Sequence, residues 1–194
     1  MISIEQIKDL REETGVSVSE VKKALTEANG DSTKAKELLR MWGKKVFDKK
    51  LSRETKSGLV ESYVHKSGRT GVLLDIRCET DFVANSPEFR TLSHEICLQI
   101  VAMKPLFVSE NEIPAELIEK ETKIYTEQTK DAKKPEAIMK QILEGKLSKY
   151  KQEICLINQT WVKDETKTIK NLIEEVVSKV GENIEIKKFT RYEI

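Results

Sequence analysis

The residues of this chain that could take part in covalent chemistry are few and widely separated. Three cysteines, Cys78, Cys97 and Cys155, make an odd number, and each lies inside an apolar run, which is typical of reduced core residues in a cytosolic protein. The two histidines, His65 and His94, stand at no spacing from these cysteines that zinc sites use. We therefore expect no metal and no cofactor on this chain.

Motifs of catalytic sites are also missing from the sequence. No glycine-rich phosphate loop follows a strand-like run, and there is neither a nucleophile elbow nor a pair of carboxylates in an apolar setting. Asp81 is the one acid beside an apolar anchor, and the sequence places no base or metal ligand next to it. We therefore expect that the protein is not an enzyme and that its function is binding.

A binding function has its best candidate in the segment Arg77–Arg90, "RCETDFVANSPEFR". The strand-like run Gly71–Glu79 ends there, a helix start follows, and Phe82 stands in the connection between them. Loops face water and carry contacts, and exposed aromatic side chains concentrate the energy of interfaces. The pattern leaves two interpretations open: Phe82 faces a partner, or it folds back onto its own core.

Composition limits the kind of partner. The chain has 194 residues with 34 lysines and arginines against 33 aspartates and glutamates, a net charge of +1, whereas dedicated nucleic-acid binders usually have a strong basic excess. No apolar run approaches the ~18 residues that a membrane span needs, and the first ten residues show no signal-peptide pattern. We therefore expect a cytoplasmic protein with no membrane contact.

Three short helices are predicted before this segment, in a small module of residues 1–43. Asp31 is a good N-cap for the third helix, and Gly43 is predicted to end it. A charged linker of residues 44–57 follows, whose basic part (44–56) is either a phosphate-binding patch or a solvated arm. The first two helices begin with the capping pairs Ser3 with Gln6 and Ser17 with Glu20, and the second carries the apolar stripe Val18, Val21, Leu25 and Ala28.

The remainder, residues 58–194, is predicted to be an α+β core. Strand-like alternation begins at Leu59, and the predicted strands form an antiparallel sheet of three or four strands with one face covered by helices. Residues 114–150 are predicted to form a helical hairpin, with Pro114 and Pro135 opening its two helices. The run "KQEICLI" (Lys151–Ile157) is predicted to be a strand.

Five segments of the sequence resemble the elongation factor Ts family. The resemblance implies an N-terminal three-helix module similar to ubiquitin-associated domains, then an antiparallel sheet and a helical hairpin. It also implies a guanine-nucleotide exchange factor for the translational GTPase elongation factor Tu. The matching segments are Leu10–Val16, Lys22–Asp31, Thr80–Asn85, Val101–Ser109 and Gly181–Phe189.

The same resemblance implies which residues bind the GTPase. The family's aromatic wedge falls on Phe82, and in the family this side chain inserts between helices of the GTPase near a Mg²⁺ site that belongs to the partner. His65 matches a histidine at a strand end. The implied partner contacts are Thr80, Asp81, Phe82, Val83, Val18, Lys22, His65, Val180 and Gly181.

The sequence departs from the family pattern at several points. Val18 and Ser19 stand where relatives often have methionines, and Gln99 stands where they often have histidine. Longer relatives carry two copies of the core, so a single copy predicts a homodimer that completes it. Two other functions stay open: an RNA-associated translation protein that uses residues 44–56, and a helical adaptor that binds a peptide. We expect no direct nucleic-acid binding.

Overall fold

A computed structural model describes residues 2–130 and 136–194 of the chain, and these residues form the predicted mixture of helices and antiparallel sheet. Pro135 lies outside the described residues. The elements are α1 (Ile4–Thr14), α2 (Val18–Glu27), α3 (Ser32–Lys50), β1 (Ser57–Val64), β2 (Thr70–Cys78), α4 (Asp81–Ala84), α5 (Pro87–Met103), α6 (Ala115–Lys130), α7 (Glu136–Ile154), β3 (Thr160–Trp161), β4 (Asp164–Thr168), α8 (Ile169–Val180) and β5 (Ile184–Glu193).

The start of α1 confirms the predicted capping box. The backbone N–H of Gln6 donates to Ser3 Oγ at 3.0 Å, and the backbone N–H of Ser3 donates to Gln6 Oε1 at 3.0 Å. Gly15 ends α1 with a φ of 66°, in the left-handed region that favours glycine. The three N-terminal helices bury a common apolar cluster that consists of Leu10, Val21, Ala24, Leu25, Ala28, Ala35 and Leu39.

The prediction that Gly43 ends the third helix is wrong, because α3 continues to Lys50. A Cβ on Gly43 would lie 3.4 Å from Ser178 Oγ, so the glycine lets α3 pass close to α8. Phe47, one turn later, is buried and anchors the extension. Packing therefore outweighs the ~1 kcal/mol that a glycine costs inside a helix. The division into residues 1–43, 44–57 and 58–194 stays a prediction.

The sheet has the strand order β1–β2–β5 among the described strands, with β2 in the centre. A tight connection joins β1 to β2, in which the His65 N–H donates to the Thr70 carbonyl at 2.8 Å. Alternate residues of β2 are buried, because successive side chains of a strand point to opposite faces of the sheet. Gly58 has a φ of 149°, and a Cβ there would lie 2.2 Å from the Ile76 carbonyl oxygen. The buried β2 side chains are Val72, Leu74, Ile76 and Cys78.

The chain divides into two compact units. The first consists of residues 1–61, 75–94 and 171–186, and the second of residues 62–74, 95–170 and 187–194. The second unit contains α6 and α7, which lie against each other with Tyr125 and Tyr150 in an edge-to-face contact at 6.5 Å between ring centroids.

Two details of the second unit differ from the prediction. The run Lys151–Ile157 does not form a strand, because α7 extends to Ile154 and a 3₁₀ turn of residues 156–158 follows. The pair β3–β4 was not predicted. It is fastened by the buried side chain of Gln99, which donates to the Thr160 carbonyl at 3.0 Å and accepts from the Val162 N–H at 3.0 Å. Gln99 therefore has a structural role in this unit.

Within the described ranges, none of the helices is both long and apolar enough to cross a membrane.

Candidate partner-binding site

Phe82 lies on the single-turn helix α4 and points into solvent. Its side chain is 84% exposed, whereas its neighbours Val83 and Ala84 are 4% and 6% exposed. The interpretation that Phe82 folds back onto its own core is therefore wrong. Because the turn buries two small apolar side chains and presents a large one, the aromatic ring is available to a partner.

The turn that carries Phe82 is held by several hydrogen bonds. Thr80 is its N-cap, and Thr80 Oγ1 accepts from the Val83 N–H at 3.4 Å. At its other end, the Asn85 side chain donates to the Asp81 carbonyl at 2.9 Å, and Arg90 donates to Asn85 Oδ1 at 2.9 Å. A turn that is already ordered loses little conformational entropy when a partner binds it.

Cys78 lies at the end of β2, directly before the turn. Its S–H donates to the Thr80 carbonyl at 3.1 Å. Burial raises the pKa of the Cys78 thiol to about 11, so the sulfur stays protonated at neutral pH and is a poor nucleophile. Cys78 therefore has a structural role beside the candidate site.

The loop that contains Gly181 lies against the Phe82 turn. Gly181 ends α8 with a φ of 80°, and the next residue, Glu182, accepts two hydrogen bonds from Thr80. The Thr80 N–H donates to Glu182 Oε2 at 2.9 Å, and the Thr80 hydroxyl donates to Glu182 Oε1 at 2.7 Å. The structure thus brings Val180 and Gly181 next to the turn of residues 80–83.

The helical module reaches the same loop. Val18 and Lys22 are exposed one turn apart on α2, so they share one face of that helix. A Cβ on Gly15, just before α2, would lie 2.8 Å from Lys179 Cε on α8. The Lys50 ammonium at the end of α3 donates to the Gly181 carbonyl. Burial, with a contribution from Arg53, lowers the pKa of Lys50.

His65 belongs to the second compact unit, whereas the other candidates all belong to the first. It is exposed at the end of β1, as the sequence predicts, and its Nδ1 is 3.3 Å from the Tyr63 hydroxyl.

Several cations of the basic segment are engaged within the protein. Lys56 pairs with Glu54 at 3.1 Å, Arg53 pairs with Glu79 at 3.5 Å, and Lys50 binds the Gly181 carbonyl. Lys50 and Arg53 are thus engaged within the protein, whereas the side chains of Lys56 and Glu54 are largely exposed. Across residues 2–130 and 136–194, the acidic, histidine and cysteine side chains form no group of three or more that could hold a metal ion.

Sequence reasoning missed Glu79, Glu182 and Asn183 as parts of this site. The Asn183 N–H donates to Glu79 Oε1 at 2.7 Å, so each loop supplies a carboxylate to the other. The partners are 102 and 104 residues apart in sequence, and no local pattern marks a pairing over that distance.

Comparisons with known proteins agree on one family. A family model described as elongation factor TS matches residues 4–194. The elongation factor Ts of Thermotoga maritima is 52% identical over 193 residues, which cover 100% of this chain and 96% of the relative. The proteins of the same name from Fervidobacterium nodosum and Thermosipho melanesiensis are 47% and 46% identical, with 98% and 99% of the relative covered.

Proposed function

The chain belongs to the elongation factor Ts family, and we propose that it promotes the release of GDP from the GTPase elongation factor Tu during translation elongation in the cytoplasm. The observation that carries this proposal is Phe82, a large aromatic side chain that is 84% exposed on a turn fixed by hydrogen bonds. The protein acts by binding alone and is not an enzyme in the chemical sense.

In the proposed mechanism, Phe82 enters the GTPase close to its Mg²⁺ site, and that ion belongs to the partner. Burying one phenylalanine side chain contributes ~1.5–3 kcal/mol. If the inserted ring is incompatible with the geometry of Mg²⁺ and phosphate, the exchange factor weakens nucleotide binding. The nucleotide then weakens binding of the exchange factor to the same extent. A coupling of that size corresponds to roughly 10- to 100-fold weaker nucleotide binding. Excess nucleotide then expels the factor.

The remaining implied residues form the rest of the proposed contact. Thr80, Asp81 and Val83 belong to the turn itself, and Val180 and Gly181 lie beside it through the contacts of Glu182. Lys22 is a lysine on an exposed helix face that is available to an acidic group of the partner. The full proposed set is Thr80, Asp81, Phe82, Val83, Val18, Lys22, His65, Val180 and Gly181.

We also propose that the protein is a homodimer, and the part of the sheet that belongs to the second unit supports this. Arg191 on β5 donates to the Val101 carbonyl in α5, so the next residue, Tyr192, lies on the opposite face. That face also carries Val64 and Leu73. The exposed fractions are 68% for Val64, 49% for Leu73 and 68% for Tyr192. A second copy would cover these side chains through a self-complementary contact.

The exchange function can be tested by stopped-flow release of a fluorescent GDP analogue from elongation factor Tu. We expect that the protein accelerates release, that Phe82→Ala loses most of the acceleration, and that the control Leu106→Ala, another exposed apolar side chain, retains it. No acceleration by the wild-type protein with a cognate GTPase would contradict the proposed function. The salt dependence of RNA binding would then test the alternative that uses residues 44–56.

A further inference from the structure

We propose that Glu79 and Glu182 are positioning residues, which hold the Phe82 turn and the Gly181 loop together in one arrangement. We call the four residues Glu79, Thr80, Glu182 and Asn183 the carboxylate clasp. Its functional consequence rests on the exchange function proposed above, whereas its geometry is a property of this chain alone.

The clasp is reciprocal. The Thr80 N–H donates to Glu182 Oε2 at 2.9 Å, and the Asn183 N–H donates to Glu79 Oε1 at 2.7 Å. Each loop therefore supplies one backbone donor and one carboxylate acceptor to the other. Hydrogen bonds with an ionised acceptor are about twice as strong as neutral ones. Because the two bonds run in opposite directions between the loops, sliding one loop along the other breaks both.

The Thr80 hydroxyl extends the clasp to the turn. It donates its single proton to Glu182 Oε1 at 2.7 Å, which leaves a lone pair for the Val83 N–H at 3.4 Å. Glu182 thus fixes the direction of the Thr80 hydroxyl that caps α4. This hydroxyl also accepts from the Val83 N–H, and Phe82 lies between Thr80 and Val83 in the sequence. We infer that the orientation of the aromatic ring depends on the Glu182 carboxylate.

The other end of the clasp is anchored to the segment that follows α3. Asn183 is buried, and its side chain donates to the Arg53 carbonyl at 3.0 Å. The Arg53 guanidinium lies 3.5 Å from Glu79 Oε1. Glu79 therefore contacts both Arg53 and Asn183, which are also bonded to each other. The clasp consequently keeps two partner-binding segments at a fixed separation before binding. Preorganisation of this kind favours insertion at the productive geometry.

The test combines two measurements on Glu182→Ala and Glu182→Gln. Hydrogen exchange of the Thr80 and Asn183 amides in the free protein measures the clasp without any partner. Stopped-flow GDP release at increasing factor concentration measures its consequence. Glu88→Gln is the matched control, because it removes an exposed carboxylate near the same turn. Thr80→Ser keeps the hydroxyl and Thr80→Val removes it.

We expect Glu182→Ala to speed exchange of the Thr80 amide at least ~10-fold and to lower the maximal GDP-release rate ~10-fold, as for the loss of a charge-assisted hydrogen bond. Thr80→Val should lower the maximal rate further than Thr80→Ser, which keeps the hydroxyl that Glu182 orients. A loss that is confined to the half-saturating concentration, with an unchanged maximal rate, would overturn the positioning role. If Glu182→Ala does not fold, Glu182→Gln decides, since it keeps the size of the side chain and removes the negative charge that strengthens both hydrogen bonds.

If the hydrogen-exchange rate of the Thr80 amide is unchanged in a folded Glu182 variant, the clasp is overturned, whatever rate of GDP release is measured. Faster amide exchange with undiminished GDP release would overturn its positioning role. If the wild-type protein itself does not accelerate GDP release, the proposed exchange function fails, and the amide measurement alone then decides whether the clasp orders the turn.

Discussion

Two regions of the molecule present apolar side chains to water, and they do so in opposite ways. At the Phe82 turn a single aromatic ring lies on a four-residue helix that is held by hydrogen bonds between side chains and backbone. On the open face of the sheet, Val64, Leu73 and Tyr192 are spread over neighbouring strands whose backbone is ordered by the sheet itself. A narrow projection is suited to a transient contact with a partner protein. A broad flat surface is suited to a permanent contact with a second copy, as in the dimer proposed above.

The largest effect is expected on the flat surface. Leu73→Lys places a charge on the open face of both copies, and we expect the dissociation constant of the dimer to rise ~100-fold or more, because each copy would bury an unpaired ammonium. Sedimentation equilibrium measures this change. The matched control is Leu106→Lys, which alters another exposed leucine outside the sheet. A wild-type protein that is monomeric at micromolar concentration would rule out the proposed dimer.

At the turn, two adjacent side chains should respond in opposite ways. We expect Phe82→Ala to reduce the acceleration of GDP release ~10- to 100-fold with little change in stability, since the ring is exposed. Val83→Ala should instead lower the free energy of unfolding by about 1–2 kcal/mol, because Val83 is buried. Urea denaturation and stopped-flow kinetics on both variants separate the two effects. Equal stability losses would show that Phe82 packs onto its own protein in solution.

A smaller effect is expected when the turn is loosened without removing the ring. Asn85→Ala deletes the hydrogen bonds to the Asp81 carbonyl and from Arg90, and we expect a ~3- to 10-fold lower acceleration of GDP release. Asn158→Ala, which deletes a side-chain hydrogen bond of 2.8 Å to Glu110 in the second unit, should have no such effect. If both variants accelerate GDP release as much as the wild type, the hydrogen bonds that order the turn do not contribute to the effect of Phe82 on GDP release.

The smallest effect concerns pH and the end of β5. Hydrogen bonds from Arg191 and Lys104 lower the pKa of Glu193 from 4.5 to about 2. Because the folded-state pKa is depressed, this contribution to stability is present above pH 4.5 and is lost as pH falls toward 2. Glu193→Gln should therefore lower Tm by no more than ~2 °C at pH 7, and by less at pH 2.5.

The same variant also bears on the open face. Glu193 lies two residues from Arg191 and so alternates with Tyr192 along the strand. We therefore expect Glu193→Gln to leave the dimer intact at pH 7. Dissociation of this variant in sedimentation equilibrium would mean that the covered and open faces of the sheet are coupled through β5.

Local patterns in the sequence predict the parts of the fold that local forces determine. The capping residues Ser3, Ser17 and Asp31 all lie where the pattern places them. The position of Phe82 in a connection also indicates a candidate site. The sequence does not decide whether its side chain is exposed, and the structure shows that it is.

The rest depends on contacts between distant segments. Gly43 has the composition of a helix end, yet α3 continues because the glycine allows a close approach to Ser178. The run Lys151–Ile157 has strand composition, yet most of it completes α7. In the sequence Glu182 is an ordinary charged loop residue, because its hydrogen-bond partner Thr80 lies 102 positions away and only the fold brings the two together.

All three cysteines of the chain are buried, which has a practical consequence for following this protein in solution. A cysteine introduced at an exposed position would be the one thiol that a maleimide dye reaches readily, without removal of any native sulfur. The exposed position of Leu106 could thus carry a fluorophore in the second unit. Energy transfer to a dye on the GTPase would then report arrival and departure of the factor in real time.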